Sequence, residues 1–342
     1  VTAVEELIPD AATIPAAPLQ TYIDKGAVSY TDLQQMYVDE VKAKFDLAAI
    51  KNAGIGVVYD PMYGAGYPIF NDILPDAVVL HKDHNPGFHG RAPEPIAKNL
   101  PELAQLMAER DDLHVGLATD GDADRIGLFD DQGNFVDAHH VLLLLIHYLH
   151  KYKGMNGKVV VAFSASVKVK KLCEHYGLPI EITKIGFKHI SPYMVREDVL
   201  VGGEESGGIA VKGHIPERDG IWDGLVILEF MAKTGKSLRE LIQEVYDIVG
   251  PFAYNRNDLH LPEEKKQAII EKARTVGFDR FGDYEVEKVE DKDGFKHYLG
   301  GDTTLMIRPS GTEPLLRVYC EAPDRETVES ILAAARETLL AD

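Results

Sequence analysis

The sequence predicts an α/β protein that ends in a small α+β unit, and three observations carry that reading. Short apolar runs alternate with stretches at helical spacing as far as residue 251. Glycine-marked breaks, the Lys151–Lys158 cluster and Gly250-Pro251, divide the chain. Beyond the second break the pattern becomes one helix, a run of short strands and a closing helix.

Taken in order, the first 28 residues are rich in Ala and Pro and read as a lead-in. A helix is expected from Ser29, with Leu33, Met36, Tyr37, Val41 and Phe45 as its apolar stripe and Thr31 and Gln34 as a capping box. Ile55–Tyr59 reads as a strand running through Asp60-Pro61 and two glycines into a helix. A helix over Asn99–Arg110 precedes a strand at His114–Ala118. Ile126–Phe129 and Phe135-Val136, joined by Asp130–Asn134, read as a hairpin. Ala138–Tyr152 is a helix with Leu142–Ile146 on its core face. The second α/β pattern follows: strand Val159–Phe163, helix Val167–Tyr176, strand Ile180–Thr183, then helices Ile221–Lys233 and Leu238–Val249. The tail gives a helix at 263–276, strands at 284–289, 295–299, 303–308 and 315–321, and a helix at 324–340.

Composition narrows the partners. With 36 Lys+Arg against 55 Asp+Glu, the net charge of −19 weighs against a nucleic-acid backbone or an anionic membrane as the main partner. An anionic ligand must then be met by local positive clusters or backbone N–H groups. Cys173 and Cys320 form no disulfide framework and fit a reducing, cytoplasmic compartment. The most apolar run, Val141–Ile146, is far short of the roughly 20 residues needed to span a bilayer.

Three stretches carry chemistry. In Thr119-Asp120-Gly121-Asp122-Ala123-Asp124-Arg125, three carboxylates alternate on a loop between two expected strands, the oxygen-rich donor set that a hard divalent cation wants. A solvated acidic turn is the alternative. An EF-hand fails, because its sixth position is Arg125 and its twelfth Asp131. In Gly202-Gly203-Glu204-Glu205-Ser206-Gly207-Gly208, glycines admit close backbone approach while carboxylates and a hydroxyl suit the hydroxyls of a sugar; a polar hairpin is the alternative. In Arg308-Pro309-Ser310-Gly311-Thr312-Glu313-Pro314, with Arg317 just beyond, a strand ends in a turn dense in phosphate-type donors. An ordinary β-turn with one exposed Arg is the alternative there.

These stretches, in this order, resemble the metal, sugar and phosphate loops of the α-D-phosphohexomutases, the phosphoglucomutase and phosphomannomutase family. Ile185–Ile190, His214–Trp222 and the pair Asn85–Phe88 and Pro93–Pro95 resemble the segments flanking those loops. The resemblance implies two related three-layer α/β domains with mixed sheets, followed by a smaller α+β C-terminal domain. It divides the chain into the end of a first domain at 1–30, a metal-loop domain at 31–152, a sugar-loop domain at 153–251 and a phosphate-binding domain at 252–342. The implied activity is an isomerase interconverting hexose 1-phosphate and hexose 6-phosphate through a phosphoserine and a hexose 1,6-bisphosphate. Glu204-Glu205-Ser206 favours glucose, with mannose as the alternative.

By resemblance, Asp120, Asp122 and Asp124 hold Mg²⁺, and Arg125 lies beside the transferring phosphoryl group. Lys188 and His189 are candidates for catalytic contact or proton movement. Glu204, Ser206, His214 and Arg218 contact the sugar side, while Arg308, Ser310, Gly311, Thr312 and Arg317 hold the other phosphate.

One element of the family pattern has no match. None of the eight serines is followed by His-Asn-Pro, and the only such tripeptide, His84-Asn85-Pro86, follows Asp83 in a segment resembling the second domain. A chain opening on Val1 is therefore expected to lack the phosphoserine domain, to be inactive alone, and to find that domain in cis or in trans. The competing reading is a non-catalytic sugar-phosphate-binding module. A metal-dependent phosphatase ranks last for want of a nucleophile. His139, His140, His147 and His150 share one helix without a second ligand pair, so they and Trp222 are expected to be structural.

Overall fold

The computed structural model describes residues 2–9, 11, 17–310 and 315–341. Three sheets organise them. The first has the order β2-β1-β3-β4-β5, with β1 Val57–Asp60, β2 Val78–Val79, β3 Val115–Thr119, β4 Ile126–Phe129 and β5 Phe135–Val136. Its β1 pairs in parallel with β2 and β3, while β3–β4 and β4–β5 are antiparallel. The second, β7-β6-β8-β9, repeats that plan on β6 Lys158–Ala162, β7 Ile180–Thr183, β8 Val199–Gly203 and β9 Ile209–Val211. Here β6 is parallel to β7 and β8, and β8–β9 is an antiparallel hairpin.

Helices cover both faces of these sheets because the strands are apolar on both sides. In the first sheet, Val57, Tyr59, Val115, Leu117, Ile126 and Leu128 face one core, and Val58, Ala118 and Phe129 face another with Leu103 and Met107 of helix Pro101–Glu109. The first of these cores continues into the second sheet through Val159, Val161, Leu200 and Ile209. Helices Ala138–His147 and Gly220–Thr234 contribute to this common core, and both are apolar nearly all round, as helices buried on every side must be.

The third sheet is wholly antiparallel, β10-β16-β15-β14-β13. It comprises β10 Ala253–His260, β13 Lys288–Glu290, β14 Phe295–Tyr298, β15 Thr304–Pro309 and β16 Leu315–Ala322, beside a small pair β11 Arg280–Phe281 and β12 Tyr284–Glu285. Leu259, Leu305, Ile307, Leu316 and Val318 pack one face against helices Glu263–Thr275 and Arg325–Leu340. The opposite face alternates to Arg256, Asp258, Arg308, Arg317, Tyr319 and Glu321.

Several expectations shift. The helix expected from Ser29 spans Leu33–Lys44 and is capped by Asp32, whose carboxylate accepts from Gln35 N, not by Thr31. Its buried face is Val38 and Val41, whereas Leu33 and Met36 are exposed. The helix from Ala138 ends at His147 and continues as one wider turn over Tyr148–Tyr152. Strands β2, β8, β9, β10 and β11 have no counterpart among the expected strands.

Where the third sheet meets the second, Glu321 is buried. It accepts from Ser166 Oγ at 2.8 Å and Val167 N at 3.3 Å. Buried Lys296 lies on the same sheet face and donates to Ala165 O at 3.2 Å. Burial pushes the Glu321 carboxyl up to about 7, against the Ser166 hydroxyl and Lys296, which favour its charge. A folded-state value above the unfolded 4.5 means that the native state holds more protons in that window, so stability falls as pH rises from 4.5 to about 7. The E321Q variant is expected to lack this fall of up to about 3 kcal/mol, seen as a melting-temperature difference that widens in its favour towards pH 7.

Candidate active site

The acidic loop links β3 to β4 and is built around Asp120. This buried carboxylate accepts from the backbone N–H of Asp124 at 2.9 Å and of Arg125 at 3.1 Å, folding the loop back on itself. Ala123 adopts φ +62° at the turn's apex, a left-handed conformation that a residue with a Cβ takes only under constraint. Gly64 faces the loop so closely that a Cβ there would lie 2.6 Å from Gly121 O, and Ala65 N donates to the same oxygen.

The result is a convergence of charge. One ligand oxygen from each of Asp120, Asp122 and Asp124 lies within 4.8 Å of the others. The cluster stands among the described residues as the group of three or more acidic, His or Cys side chains spaced to hold a metal ion. Burial, reinforced by repulsion from Asp124 and Asp122, pushes the Asp120 carboxyl up to about 6; burial raises Asp124 as well. Three hard oxygens crowded against their own repulsion suit a hard divalent cation, whose charge would relieve it.

The glycine-rich stretch is the tip of the β8–β9 hairpin, with Glu204 N donating to Gly208 O at 3.1 Å. It interlocks with the acidic loop through backbone. Ile126 N donates to Gly207 O at 3.1 Å, and Arg125 forms an antiparallel bridge with Gly208. Gly207 has φ +91°, and a Cβ there would sit 2.5 Å from Ile126 O. Glycine is therefore what lets the two loops touch. Glu204 is buried and accepts from Gly186 N at 2.7 Å, which ties it to the turn Phe187–His189 carrying exposed Lys188 and half-buried His189. Burial raises the Glu204 carboxyl, and neighbouring Glu205 raises it further. Glu205 accepts from Ser164 Oγ, and Ser206 is half-buried.

Behind the hairpin, Asp219 caps helix Gly220–Thr234 at Trp222 N. It also accepts from Tyr37 OH at 2.8 Å and pairs with His214 Nε2 at 2.8 Å. The His214 ring stacks on Trp222 with centroids 3.7 Å apart. Among the residues expected on the sugar side, His214 is thus committed to packing, and Arg218 reaches the acidic loop, its Nη2 2.5 Å from Asp124 Oδ2.

From the third sheet, Arg308 and Arg317 are cross-strand partners, and Arg308 pairs with Asp293, which also accepts from Ile185 N just before the Lys188 turn. Ser310 is buried, its N–H bonded to Leu315 O at 3.1 Å. Gly311 and Thr312 lie outside the described residues. A cavity of about 1120 Å³ runs between β5 and β10, lined by Glu94, Glu205, Ser206, Arg256, Asp258 and Tyr319 among others. Arg256, Tyr254 and Tyr319 were missed in the sequence. They join the face that carries Arg317 through the β10–β16 pairing, which sets Arg256 opposite Tyr319 and Asp258 opposite Arg317.

Two mixed-sheet α/β domains and an antiparallel C-terminal domain, joined around an interlocked acidic loop and glycine hairpin, define the architectural class. Models of domains II, III and IV of phosphoglucomutase/phosphomannomutase match residues 35–133, 137–249 and 259–338. The chain belongs to that α-D-phosphohexomutase family. It is 31% identical over 94% of its length to a "probable phosphoglucosamine mutase" of Pyrococcus furiosus, covering 66% of that protein. It is 29% identical over 90% of its length to a phosphoglucomutase/phosphomannomutase of Thermococcus kodakarensis, covering 65% of it. A solved Thermus thermophilus protein assigned to the phosphomannomutases superposes with a TM-score of 0.78 at 32% identity, over 91% of this chain and 67% of that one. The chain spans about two thirds of the length of these relatives. No helix among the described residues is long and apolar enough to cross a membrane.

Proposed function

We propose that this chain supplies the cation-, sugar- and phosphate-binding parts of a phosphohexomutase acting between hexose 1-phosphate and hexose 6-phosphate. The observation that carries the reading is the backbone interlock of Ile126 N with Gly207 O, which fixes the acidic loop against the glycine hairpin whose Glu205 and Ser206 line the cavity. Asp120, Asp122 and Asp124 would hold Mg²⁺, which when bound neutralises charge on a transferring phosphoryl group. Arg125, half-buried beside them, offers a guanidinium to the same group. Glu204 and Ser206 accept and donate to sugar hydroxyls. Arg308 and Arg317 hold the distal phosphate, with Ser310, Gly311 and Thr312 assigned to the same phosphate. Such a division allows either end of a hexose bisphosphate to face the cation, as a mutase requires. Lys188 and His189 stand on the turn bonded to Glu204 and are assigned to substrate contact.

The phosphoryl donor is a phosphoserine on a further domain, encoded with this chain or added to it. Glucose phosphate remains the favoured substrate from Glu204-Glu205-Ser206, while the relatives' names add glucosamine and mannose phosphates to the comparison. Calorimetry of this chain with glucose, mannose and glucosamine 6-phosphates in Mg²⁺ should show hexose-phosphate binding that is weakened about tenfold or more by R308M. Absence of binding to all three sugars would refute the assignment. Turnover of glucose 1-phosphate, with a hexose bisphosphate present, by this chain supplied with a family first domain tests the catalytic half of the proposal.

A further inference from the structure

Arg218 occupies a position that the substrate-binding role does not explain. Its Nη2 forms an ion pair with Asp124 Oδ2 at 2.5 Å, and its guanidinium lies 5.4 Å over the Phe187 ring. Its stem crosses Gly208, where a Cβ would sit 2.5 Å from Arg218 Cδ. One side chain therefore touches the acidic loop, the glycine hairpin and the Phe187 turn. Its backbone is anchored independently, because the next residue, Asp219, is fixed by Tyr37, His214 and Trp222 N, at 2.8, 2.8 and 2.9 Å.

A carboxylate that binds a cation through one oxygen is oriented by whatever holds the other. Arg218 holds Oδ2 of Asp124, and Oδ1 is the oxygen that faces Arg125 Nε, at 3.8 Å. We infer that Arg218 is a positioning residue for the cation: it fixes Asp124 Oδ2 and thereby turns Oδ1 towards the oxygens of Asp120 and Asp122. The inference rests on the cation-binding reading of that loop. Gly208 follows from it as the residue that clears the path of the arginine, so one side chain couples the shape of the sugar hairpin to the geometry of the cation loop. A lysine keeps the charge but lacks the flat guanidinium that lies over the Phe187 ring, so it would pair with Asp124 from a less fixed position.

The test is Mn²⁺ affinity, read by the loss of free-ion paramagnetic resonance on titrating the chain, with Mg²⁺ as competitor. Wild type is expected to bind. Arg218→Met should bind 10- to 100-fold more weakly at unchanged melting temperature, the range found when an outer-shell partner is removed. Arg218→Lys should recover part of the loss. Equal or tighter binding by Arg218→Met would overturn the inference, since it would make Arg218 a bystander or a competitor for Asp124. Should Arg218→Met not fold, Arg218→Lys decides alone, and affinity equal to wild type overturns the inference. Failure of wild type to bind Mn²⁺ would instead remove the cation-loop reading itself, a distinct result.

Discussion

Asp122→Ala is expected to reduce Mn²⁺ or Mg²⁺ affinity at least about a hundredfold while leaving the melting temperature within a degree or two of wild type. The argument turns on the different duties of the three carboxylates. Asp122 is exposed at the rim of the loop, so its removal takes away a ligand and little else. Asp120 is buried and also accepts from the N–H groups of Asp124 and Arg125. Asp120→Ala should therefore lose both the ion and about 2 kcal/mol or more of stability, because two backbone donors are left without their acceptor. Titration and thermal melting of the two variants, run side by side, separate ligand from scaffold. Wild-type affinity in Asp122→Ala would show that the cluster is an acidic turn and not a cation site.

That asymmetry marks the boundary of what the sequence discloses. The acidic triplet is legible because ligand atoms two residues apart on a tight loop must lie near each other whatever the fold. Helix edges such as Val167–Tyr176 and Leu238–Val249 are legible because their caps and glycine stops are local, as the Ser237–Glu240 capping box shows. Strand β10 was missed for the opposite reason. Its residues Tyr254, Asn255, Arg256, Asn257 and Asp258 look like loop polarity, and they form a strand only because β16 lies beside them over eight residue pairs. Sheet pairing between residues as far apart as Ala253 and Ala322 leaves little local trace.

The same limit applies within the site. The glycine hairpin was recognised as a loop, but its flanking strands and its contact with Ile126 depend on two sheets packing through a common core. His214 and Arg218 sit four residues apart in one segment, and a sequence assigns them together. The structure separates them: the imidazole is spent on Asp219 and Trp222, while the guanidinium reaches Asp124. Residue type announced chemistry, and direction came only from packing.

The largest stability effect is expected at Gly220, where helix Gly220–Thr234 begins against the acidic loop. Gly220 N donates to Ala123 O at 2.9 Å, and a Cβ at this position would lie 2.4 Å from Arg125 O. Gly224, one turn along the same helix, meets an equally close neighbour: its Cβ would lie 2.4 Å from Leu117 Cδ2. The two approaches are the same in length and different in kind. A leucine methyl turns aside by a change of rotamer, whereas a carbonyl moves only with the loop that carries it. Helix propensity favours alanine over glycine by about 1 kcal/mol at an interior position, which offsets much of the strain at Gly224. It offsets little at Gly220, where about 3 kcal/mol or more is expected to be lost. The displaced carbonyl belongs to Arg125, so Gly220→Ala should also weaken Mn²⁺ binding, and Gly224→Ala should not. Melting curves and metal titrations of the two variants check both halves. Equal costs would mean that the loop yields as readily as a side chain, and the rigid acidic loop inferred from its backbone bonds would have to be given up.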